Sequence, residues 1–250
     1  MGTATACEVP QYPRAAIISA VIPCLDEEDA IAAVVTAVLA QGIDEVIVVD
    51  GGSSDRTAER ARAAGARLVS ERRRGYGRAI QSGIEAVRPD AKILLFLDGD
   101  GSDRAEMIPD LISPIVAGQV AFVHGTRLRG EREPGSLSMQ QLIAGHMAGL
   151  LLRLVYRARF TDMSPFRAIR RNALSKLGMR EATYGWNLEM LMRVAAAGLP
   201  AREIDVGQRR RVGGLSKVSG NGLAGLKAAW SIATTFIRLA ATLRDESHSS

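Results

Sequence analysis

Acidic side chains follow three short aliphatic runs, and they are the residues of this chain best suited to chemistry. In chain order they are Asp26 and Glu27, then Asp50, then Asp98 and Asp100. Carboxylates that converge repel one another unless a cation or hydrogen-bond donors lie between them. The pattern therefore indicates a site for a cation or a polar ligand. For Asp26, a helix-capping or turn role is the alternative.

The segment Asp98-Gly99-Asp100 is the most specific of these signals. Residues i and i+2 at the end of an extended segment point in the same direction, so both carboxylates can reach one ion. Gly99 would let a ligand approach the backbone closely. Oxygen ligands of this kind suit Mg²⁺ or Mn²⁺, and Mg²⁺ is often shared between one or two carboxylates and substrate phosphates. The alternative is that the two aspartates only form a turn.

Strands and helices alternate through the part of the chain that carries these acids. The predicted strands are residues 17–22, 45–49, 66–70 and 92–97, and the predicted helices are residues 30–40, 56–64 and 76–87. This order is typical of an α/β fold with a mostly parallel central sheet flanked by helices. Ligands bind such sheets outside the carboxyl ends of the strands, where the acids are expected to meet.

The composition is that of a globular protein and excludes several other classes. Hydrophobic residues make up 47% and charged residues 24% of the 250 residues, which excludes a disordered chain. No stretch reaches the ~18–20 uninterrupted apolar residues that a membrane-spanning helix needs. Cys7 and Cys24 cannot build a disulfide framework and lack the spacing of a zinc site, which favours a reducing compartment.

Basic residues outnumber acidic residues, which favours anionic partners. The alternative is that the arginines only form a solvated surface. The formal net charge is +5. Only four of the 32 basic residues are lysines, so a lysine at a given basic position, such as Lys217, is less expected than an arginine. Only 4% of residues are aromatic, and neither a helix-turn-helix nor an RNA-binding motif is recognisable, so we expect no nucleic-acid partner. A nucleotidyltransferase would carry a glycine-rich phosphate loop after the first strand, and residues 23–28 offer none.

Eight segments, in order, resemble the motifs of the family 2 glycosyltransferases, which have the GT-A fold. The first four are VIPCLDEE (21–28), VVDGGSSDRT (48–57), RGYGRA (74–79) and FLDGD (96–100). The later four are similar to the dolichol-phosphate-mannose and polyprenyl-phosphate-sugar synthases: GTR (125–127), SPFRA (164–168), YGWNLE (184–189) and RVGGLSK (211–217). Tyr76 departs from the family pattern, which often has lysine there.

The resemblance implies a role for three groups of residues. The base and ribose of a nucleotide would lie against Pro23, Leu25, Glu27, Val48 and Asp50. Mg²⁺ or Mn²⁺ and the donor diphosphate would be held by Asp98, Gly99 and Asp100, with Ser102 nearby. Phosphate groups of the donor or of a lipid acceptor would face Arg127, Arg211 and Lys217.

The resemblance also implies the reaction, in which an acceptor oxygen attacks the anomeric carbon of a nucleoside diphosphate sugar and inverts its configuration. The donor would be of the GDP-mannose or UDP-glucose type, and the expected acceptor is a polyprenyl phosphate. The alternative is a soluble or other lipid hydroxyl acceptor, which would need a carboxylate base. Glu189 and Asp162 are candidates for that base, and a structural role is the alternative for each.

We divide the chain into an N-terminal extension (1–14), a GT-A domain (15–220), an amphipathic helix (221–243) and a disordered tail (244–250). The helix would bury one stripe, made of Leu223, Leu226, Trp230, Ala233 and Ile237. That stripe would lie in a membrane interface or pack on the sheet or a second subunit. We expect a cytoplasmic protein, peripheral on the cytoplasmic face of the membrane. A homo-oligomer is compatible with the sequence.

Overall fold

A seven-stranded sheet forms the centre of the molecule. The computed structural model describes residue 12, residues 16–213 and the helix over residues 224–248, in which side chains are described for residue 230 and residues 232–244. The strands are β1 (Ile18–Cys24), β2 (Glu45–Asp50), β3 (Arg67–Ser70), β4 (Ile93–Phe96), β5 (Phe122–Thr126), β6 (Arg167–Arg170) and β7 (Ala201–Asp205). Their order is β3-β2-β1-β4-β6-β5-β7, and only β6 runs antiparallel to its neighbours.

Helices cover both faces of this sheet. They are α1 (Ile31–Leu39), α2 (Thr57–Ala63), α3 (Tyr76–Ala86), α4 (Ile108–Val116), α5 (Met139–Tyr156), α6 (Arg171–Leu177), α7 (Trp186–Ala196) and α8 (Ala224–His248). One core lies between the sheet and α1, α2 and α4, and a second lies between the sheet and α3, α5, α6, α7 and α8. Alternate residues of β1 to β6 enter the two cores, as the period of a strand requires.

The strand register brings the acidic segments to one edge of the sheet. Cys24 at the end of β1 pairs with Asp50 at the end of β2. Val21 of β1 pairs with Phe96 of β4, so continuing this register by two residues brings Asp98 to the level of Pro23. The expected mostly parallel α/β sheet is confirmed, and each of the seven elements predicted in the first hundred residues lies within two residues of its predicted bounds.

The last helix differs from its predicted length and orientation. It continues to His248, through part of the segment predicted as a disordered tail, because no glycine or proline ends it. Of the predicted buried stripe, Trp230 and Ile237 are exposed, whereas Phe236 and Leu239 are buried against the second core. Large apolar side chains lie on both sides of this helix, so periodicity alone could not orient it.

Two further findings concern the predicted organisation. Among the described residues, no helix is both long and apolar enough to cross a membrane. Lys217 and nearly all of the predicted N-terminal extension lie outside the described residues.

Candidate functional site

A cavity of about 730 Å³ opens at the carboxyl ends of β1 and β4. Both halves of the chain line it. The first half contributes Pro23, Cys24, Leu25, Glu27, Gly51, Glu71, Arg73, Arg74, Gly75, Tyr76, Ala79, Asp98, Gly99 and Asp100, and the second contributes Gln141, Thr183, Tyr184 and Arg211. The cavity therefore collects the predicted acidic segment together with side chains that lie far away in the sequence.

Asp98 and Asp100 lie at the floor of this cavity, with Asp103 behind them. The backbone N–H of Asp98 donates to Asp103 Oδ2 at 2.8 Å, and the backbone N–H of Ser102 donates to Asp100 Oδ1 at 2.9 Å. These two bonds fold residues 98–103 into a tight turn. Ser102 is buried, and its contact with the predicted metal site passes through its backbone.

The charges of these aspartates fit a divalent cation. Burial, followed by the negative charges of Asp103 and Asp100, raises the pKa of Asp98 well above its usual range. Burial likewise raises the pKa of Asp103 to about 7. A cation would relieve this repulsion, and oxygen donors are what Mg²⁺ and Mn²⁺ prefer. Among the described residues, no group of three or more His, Cys, Asp or Glu side chains could hold a metal ion by itself.

Packing against β1 favours glycine at position 99. A Cβ at this position would lie 2.2 Å from Cys24 Sγ, which is buried between the two strand ends. With any larger residue, either the Cys24 side chain or one of the two strand ends would have to shift. The glycine thereby keeps Asp98 and Asp100 beside the end of β1.

A second cavity, of about 590 Å³, adjoins the first on the β2 side. Leu25 lines both cavities, and Asp50 lies in the second, where it accepts hydrogen bonds from the backbone N–H (3.1 Å) and the hydroxyl (2.5 Å) of Ser53. Arg72 and Arg74 form the opposite wall. The predicted nucleotide residues Pro23, Leu25, Glu27 and Asp50 thus line these connected cavities.

Val48 is the exception among the predicted nucleotide residues. Its side chain is fully buried in the first core and lines neither cavity. It pairs with Ile22 and Leu68 inside the sheet, two residues before β2 ends, so the neighbouring strands and the helices above them enclose it. The side chain of Val48 is therefore not available for the predicted contact with a nucleotide.

Arg211 reaches the acidic site from the opposite end of the sequence. Its Nη2 lies 2.5 Å from Glu27 Oε1, and its Nε lies 3.9 Å from Asp100 Oδ2. Backbone bonds dock this segment, because the N–H of Arg209 donates to the Ser102 carbonyl (2.9 Å) and the N–H of Val212 donates to the Asp100 carbonyl (3.0 Å). Arg211 therefore lies where the charge of a diphosphate would be met.

Arg127 does not line either cavity, contrary to the predicted phosphate contact. It is buried and bound to Asp162 by two hydrogen bonds, Nε to Oδ2 at 2.7 Å and Nη2 to Oδ1 at 2.9 Å. Burial alone would raise the pKa of Asp162, but the Arg127 guanidinium outweighs burial and holds that pKa well below its usual range. Arg127 acts on Asp98 and Asp103 only as a buried positive charge behind them.

Neither candidate base faces the cavity. Asp162 is buried and forms an ion pair with Arg127. Glu189 is buried in α7, where it binds Arg193 at 2.8 Å and accepts hydrogen bonds from the backbone N–H groups of Arg180 and Glu181. Both carboxylates therefore have the structural role that was the stated alternative.

Sequence reasoning assigned no role to an aromatic pair in the cavity. Tyr76 and Tyr184 stack with ring centroids 5.6 Å apart, and the Tyr76 hydroxyl lies 3.3 Å from Asp98 Oδ1. Their contact depends on glycine, because a Cβ on Gly77 would lie 2.1 Å from the Glu181 carbonyl oxygen. A signal was present, since Tyr76 departs from the family pattern and Tyr184 begins one of the eight segments.

Comparisons with known proteins agree with this geometry. The profile described as "Glycosyl transferase family 2" matches residues 19–178. An uncharacterized glycosyltransferase of Mycobacterium tuberculosis is 36% identical over 206 residues, which cover 82% of this chain and 90% of the relative. A dolichyl-phosphate hexose transferase of Haloferax volcanii is 32% identical over 200 residues, which cover 78% and 84%.

Solved structures share the fold. The glucosyl-3-phosphoglycerate synthase of Mycobacterium tuberculosis, in complex with Mn²⁺, UDP-glucose and phosphoglyceric acid, superimposes with a TM-score of 0.71 at 24% identity, covering 90% of this chain and 80% of that one. At that identity the likeness concerns the fold alone. Together with the family match and the acidic cavity, it leads to one conclusion: the chain belongs to glycosyl transferase family 2 and is a glycosyltransferase with the GT-A fold.

Proposed function

We propose that this protein transfers a hexose from a nucleoside diphosphate sugar, of the GDP-mannose or UDP-glucose type, to a polyprenyl phosphate. The transfer inverts the anomeric configuration, depends on Mg²⁺ or Mn²⁺, and takes place at the cytoplasmic face of a membrane. The Haloferax volcanii relative, named a dolichyl-phosphate hexose transferase, supports the acceptor class. The structural neighbour crystallised with Mn²⁺ and UDP-glucose supports the donor class and the metal.

The carboxylates of the cavity are the observation that carries the acceptor proposal. Apart from Asp98 and Asp100, those lining it are Glu27 and Glu71. Arg211 binds Glu27, and Arg73 binds Glu71 at 2.6 Å. Hydrogen bonds from Arg73 and then Ser82 lower the pKa of Glu71 to about 2, which makes it a poor base. A phosphate oxyanion is already nucleophilic and needs no base, whereas a hydroxyl acceptor does.

The chain's own residues would act by binding and by charge. Asp98 and Asp100 would hold the divalent cation, which when bound supplies positive charge to the leaving diphosphate. Arg211 and Arg74 would face the diphosphate oxygens from the two sides of the cavity. An acceptor oxygen would bond to the anomeric carbon from the face opposite the leaving group, and the electron pair of the broken C–O bond would remain on the nucleoside diphosphate. Fixed cations aimed at such developing charge lower the barrier.

A soluble phosphorylated acceptor is the second candidate. The structural neighbour crystallised with phosphoglyceric acid favours it, since the two chains share the fold. Such an acceptor that reacts through a hydroxyl would need a base, and Glu27 could serve only after leaving Arg211. The acceptor test below therefore includes phosphoglyceric acid.

The test is release of nucleoside diphosphate from a panel of GDP and UDP sugars with Mn²⁺, with and without a short polyprenyl phosphate in detergent. We expect lipid-dependent release from one donor, loss of activity with EDTA, and an inverted anomeric configuration in the NMR spectrum of the product. Asp100→Asn should lower the rate by about a hundredfold or more because the metal site is lost. Asp90→Asn, which changes an exposed aspartate outside the cavity, is the matched control.

Three results would contradict the proposal. Transfer to phosphoglyceric acid but not to the lipid would favour the second candidate. A retained anomeric configuration would exclude the single inverting displacement. Full activity of Asp100→Asn, or full activity in EDTA, would exclude the metal site.

A further inference from the structure

The outward side of α5 and α8 exposes an unusual amount of apolar surface. The residues of this surface, here called the α5/α8 face, are Leu150, Arg153 and Leu154 of α5 and Trp230 and Ile237 of α8. Leu154, Trp230 and Ile237 are 70%, 73% and 68% exposed. Isolated exposed leucines are ordinary, but large apolar residues gathered on two helices that pack together mark an interaction surface.

The two helices place these residues on their outer sides because their inner sides are used for packing. Leu152 of α5 and Phe236 and Leu239 of α8 are buried in the second core, and the Tyr156 and Phe236 rings lie 6.1 Å apart. Leu150, Arg153 and Leu154 are three or four residues apart, so they lie on one side of α5, and Arg157 follows its last turn. The apolar exposure is therefore not a consequence of loose packing.

The charged residues of α5, and those of α8 up to residue 244, are all basic. Helix α5 contains no Asp or Glu, and α8 contains none before Asp245. Arg153, Arg157 and Arg244 are exposed, and Arg238 is bound to Glu181 at 2.5 Å. An apolar surface with arginines and with tryptophan is the composition that lies in the headgroup region of an anionic bilayer.

We infer that the α5/α8 face docks on the surface of an anionic lipid bilayer. A second copy of this chain fits less well, because a two-fold contact would bring the same arginines together from both copies. The bilayer supplies the opposite charge and accepts the apolar side chains at once. No helix among the described residues is suited to span the membrane, so this contact would lie in the interface plane.

Helix α5 runs from the cavity to this surface, which links the surface to the proposed acceptor. Gln141 in the first turn of α5 lines the cavity, and Leu154 lies thirteen residues further along the same helix, about 20 Å at 1.5 Å per residue. On the α8 side, Arg238 binds Glu181, and the loop that follows carries Thr183 and Tyr184 into the cavity. The purpose of docking rests on the proposed lipid acceptor, but the docking itself is testable without it.

Tryptophan fluorescence of the full chain provides the first measurement. Of the two tryptophans, Trp186 is fully buried and Trp230 is exposed, so a change on membrane contact reports Trp230. We expect a blue shift when vesicles of phosphatidylglycerol are added, a weaker one with phosphatidylcholine, and none in Trp230→Phe. The shift should diminish at high salt because salt screens the arginines.

Vesicle co-sedimentation of matched variants provides the second measurement. Leu154→Glu and Ile237→Glu should each lower the fraction bound by about tenfold, since each replaces an apolar side chain that would enter the bilayer with a charge that anionic headgroups repel. Ala63→Glu is the control, because it places the same charge at an exposed position of α2, on the opposite face of the sheet. Equal binding of Leu154→Glu and Ala63→Glu would overturn the inference.

Two other outcomes would also overturn it. One is an unchanged Trp230 spectrum with phosphatidylglycerol vesicles. The other is a dimer in sedimentation equilibrium that Leu154→Glu converts to a monomer, since the face would then be covered by a second copy. Failure of the proposed function is distinguishable: vesicles would still bind, while polyprenyl phosphate would not stimulate nucleoside diphosphate release.

Discussion

The Arg127–Asp162 ion pair is the feature at the scale of single residues on which the acidic cavity rests. It lies behind Asp98 and Asp103 and places one positive charge near two carboxylates whose pKa values are raised by burial. Asp162 also accepts a hydrogen bond from the backbone N–H of Arg127 at 3.1 Å. The pair therefore fixes the end of β5 as well as the guanidinium.

Removing the charge of Asp162 should be costly. Asp162→Asn leaves Arg127 buried with no anionic partner, and we expect the free energy of unfolding in urea to fall by about 3–5 kcal/mol. Glu131→Gln is the matched control because Glu131 binds Arg104 at 2.6 Å but is itself 81% exposed. Its loss should stay within about 1 kcal/mol. Equal effects of the two substitutions would show that burial does not govern the Asp162 pair.

At the scale of elements, α3 depends on two glycines that let it approach its neighbours. Gly77 lies against the backbone of residues 181–182, and Gly83 lies against Val21 and Val49 of the sheet. The N–H groups of Gly77 and Arg78 donate to the carbonyls of Thr183 and Ala182, which ties the start of α3 to the loop that carries Tyr184. This approach brings Tyr76 and Tyr184 together.

Helix propensity and packing predict opposite signs for Gly83→Ala. Propensity alone would stabilise α3 by about 0.8–1 kcal/mol. A Cβ at this position, however, would lie 2.4 Å from Val21 Cγ1 and 2.8 Å from Val49 Cγ2. We expect packing to dominate and the variant to lose about 1–3 kcal/mol in urea unfolding. Glu85→Ala, at an exposed position of the same helix, should change little, and a stabilised Gly83→Ala would contradict the described packing.

At the scale of the whole molecule, the buried titratable groups make stability depend on pH. Burial, followed by the positive charge of Arg167, lowers the pKa of His124 from 6.5 to about 3. Between those values the unfolded chain binds a proton that the folded protein does not, so this group contributes stability that is lost as pH falls below about 6.5. Asp98 and Asp103 contribute with the opposite sign, because their pKa values are raised on folding.

A comparison with His124→Gln isolates the histidine, since the two aspartates are present in both proteins. The free energy of unfolding of the wild type minus that of the variant should rise with pH by about 1.4 kcal/mol per unit between roughly pH 4 and pH 6. Chemical denaturation at several pH values measures this difference. A flat difference would mean that His124 is protonated in the folded protein.

Local sequence patterns determined the elements and the acidic edge of the sheet. The β-branched runs, the glycines at helix ends and the acids after each run act over a few residues, so Asp50, Asp98 and Asp100 could be placed at strand ends without coordinates. For Arg211 only the resemblance predicted a role, a phosphate contact, which stays a prediction; the structure has its Nε 3.9 Å from Asp100 Oδ2. Local spacing carries this information because a strand and the turn after it depend mainly on neighbouring residues.

Only the tertiary structure decided how distant residues share space. Arg127 and Asp162 are 35 residues apart in the sequence. Because Arg127 pairs with Asp162, its side chain does not line the cavities in which a phosphate contact was predicted. Neighbouring strands enclose Val48, and packing of α8 leaves Trp230 exposed. Tyr76 stacks on Tyr184, which lies in the loop between α6 and α7. Each outcome depends on which face of an element is covered by another element. Which face is covered follows from the packing of the whole chain, and the hydrophobic periodicity of a single helix or strand does not contain this information.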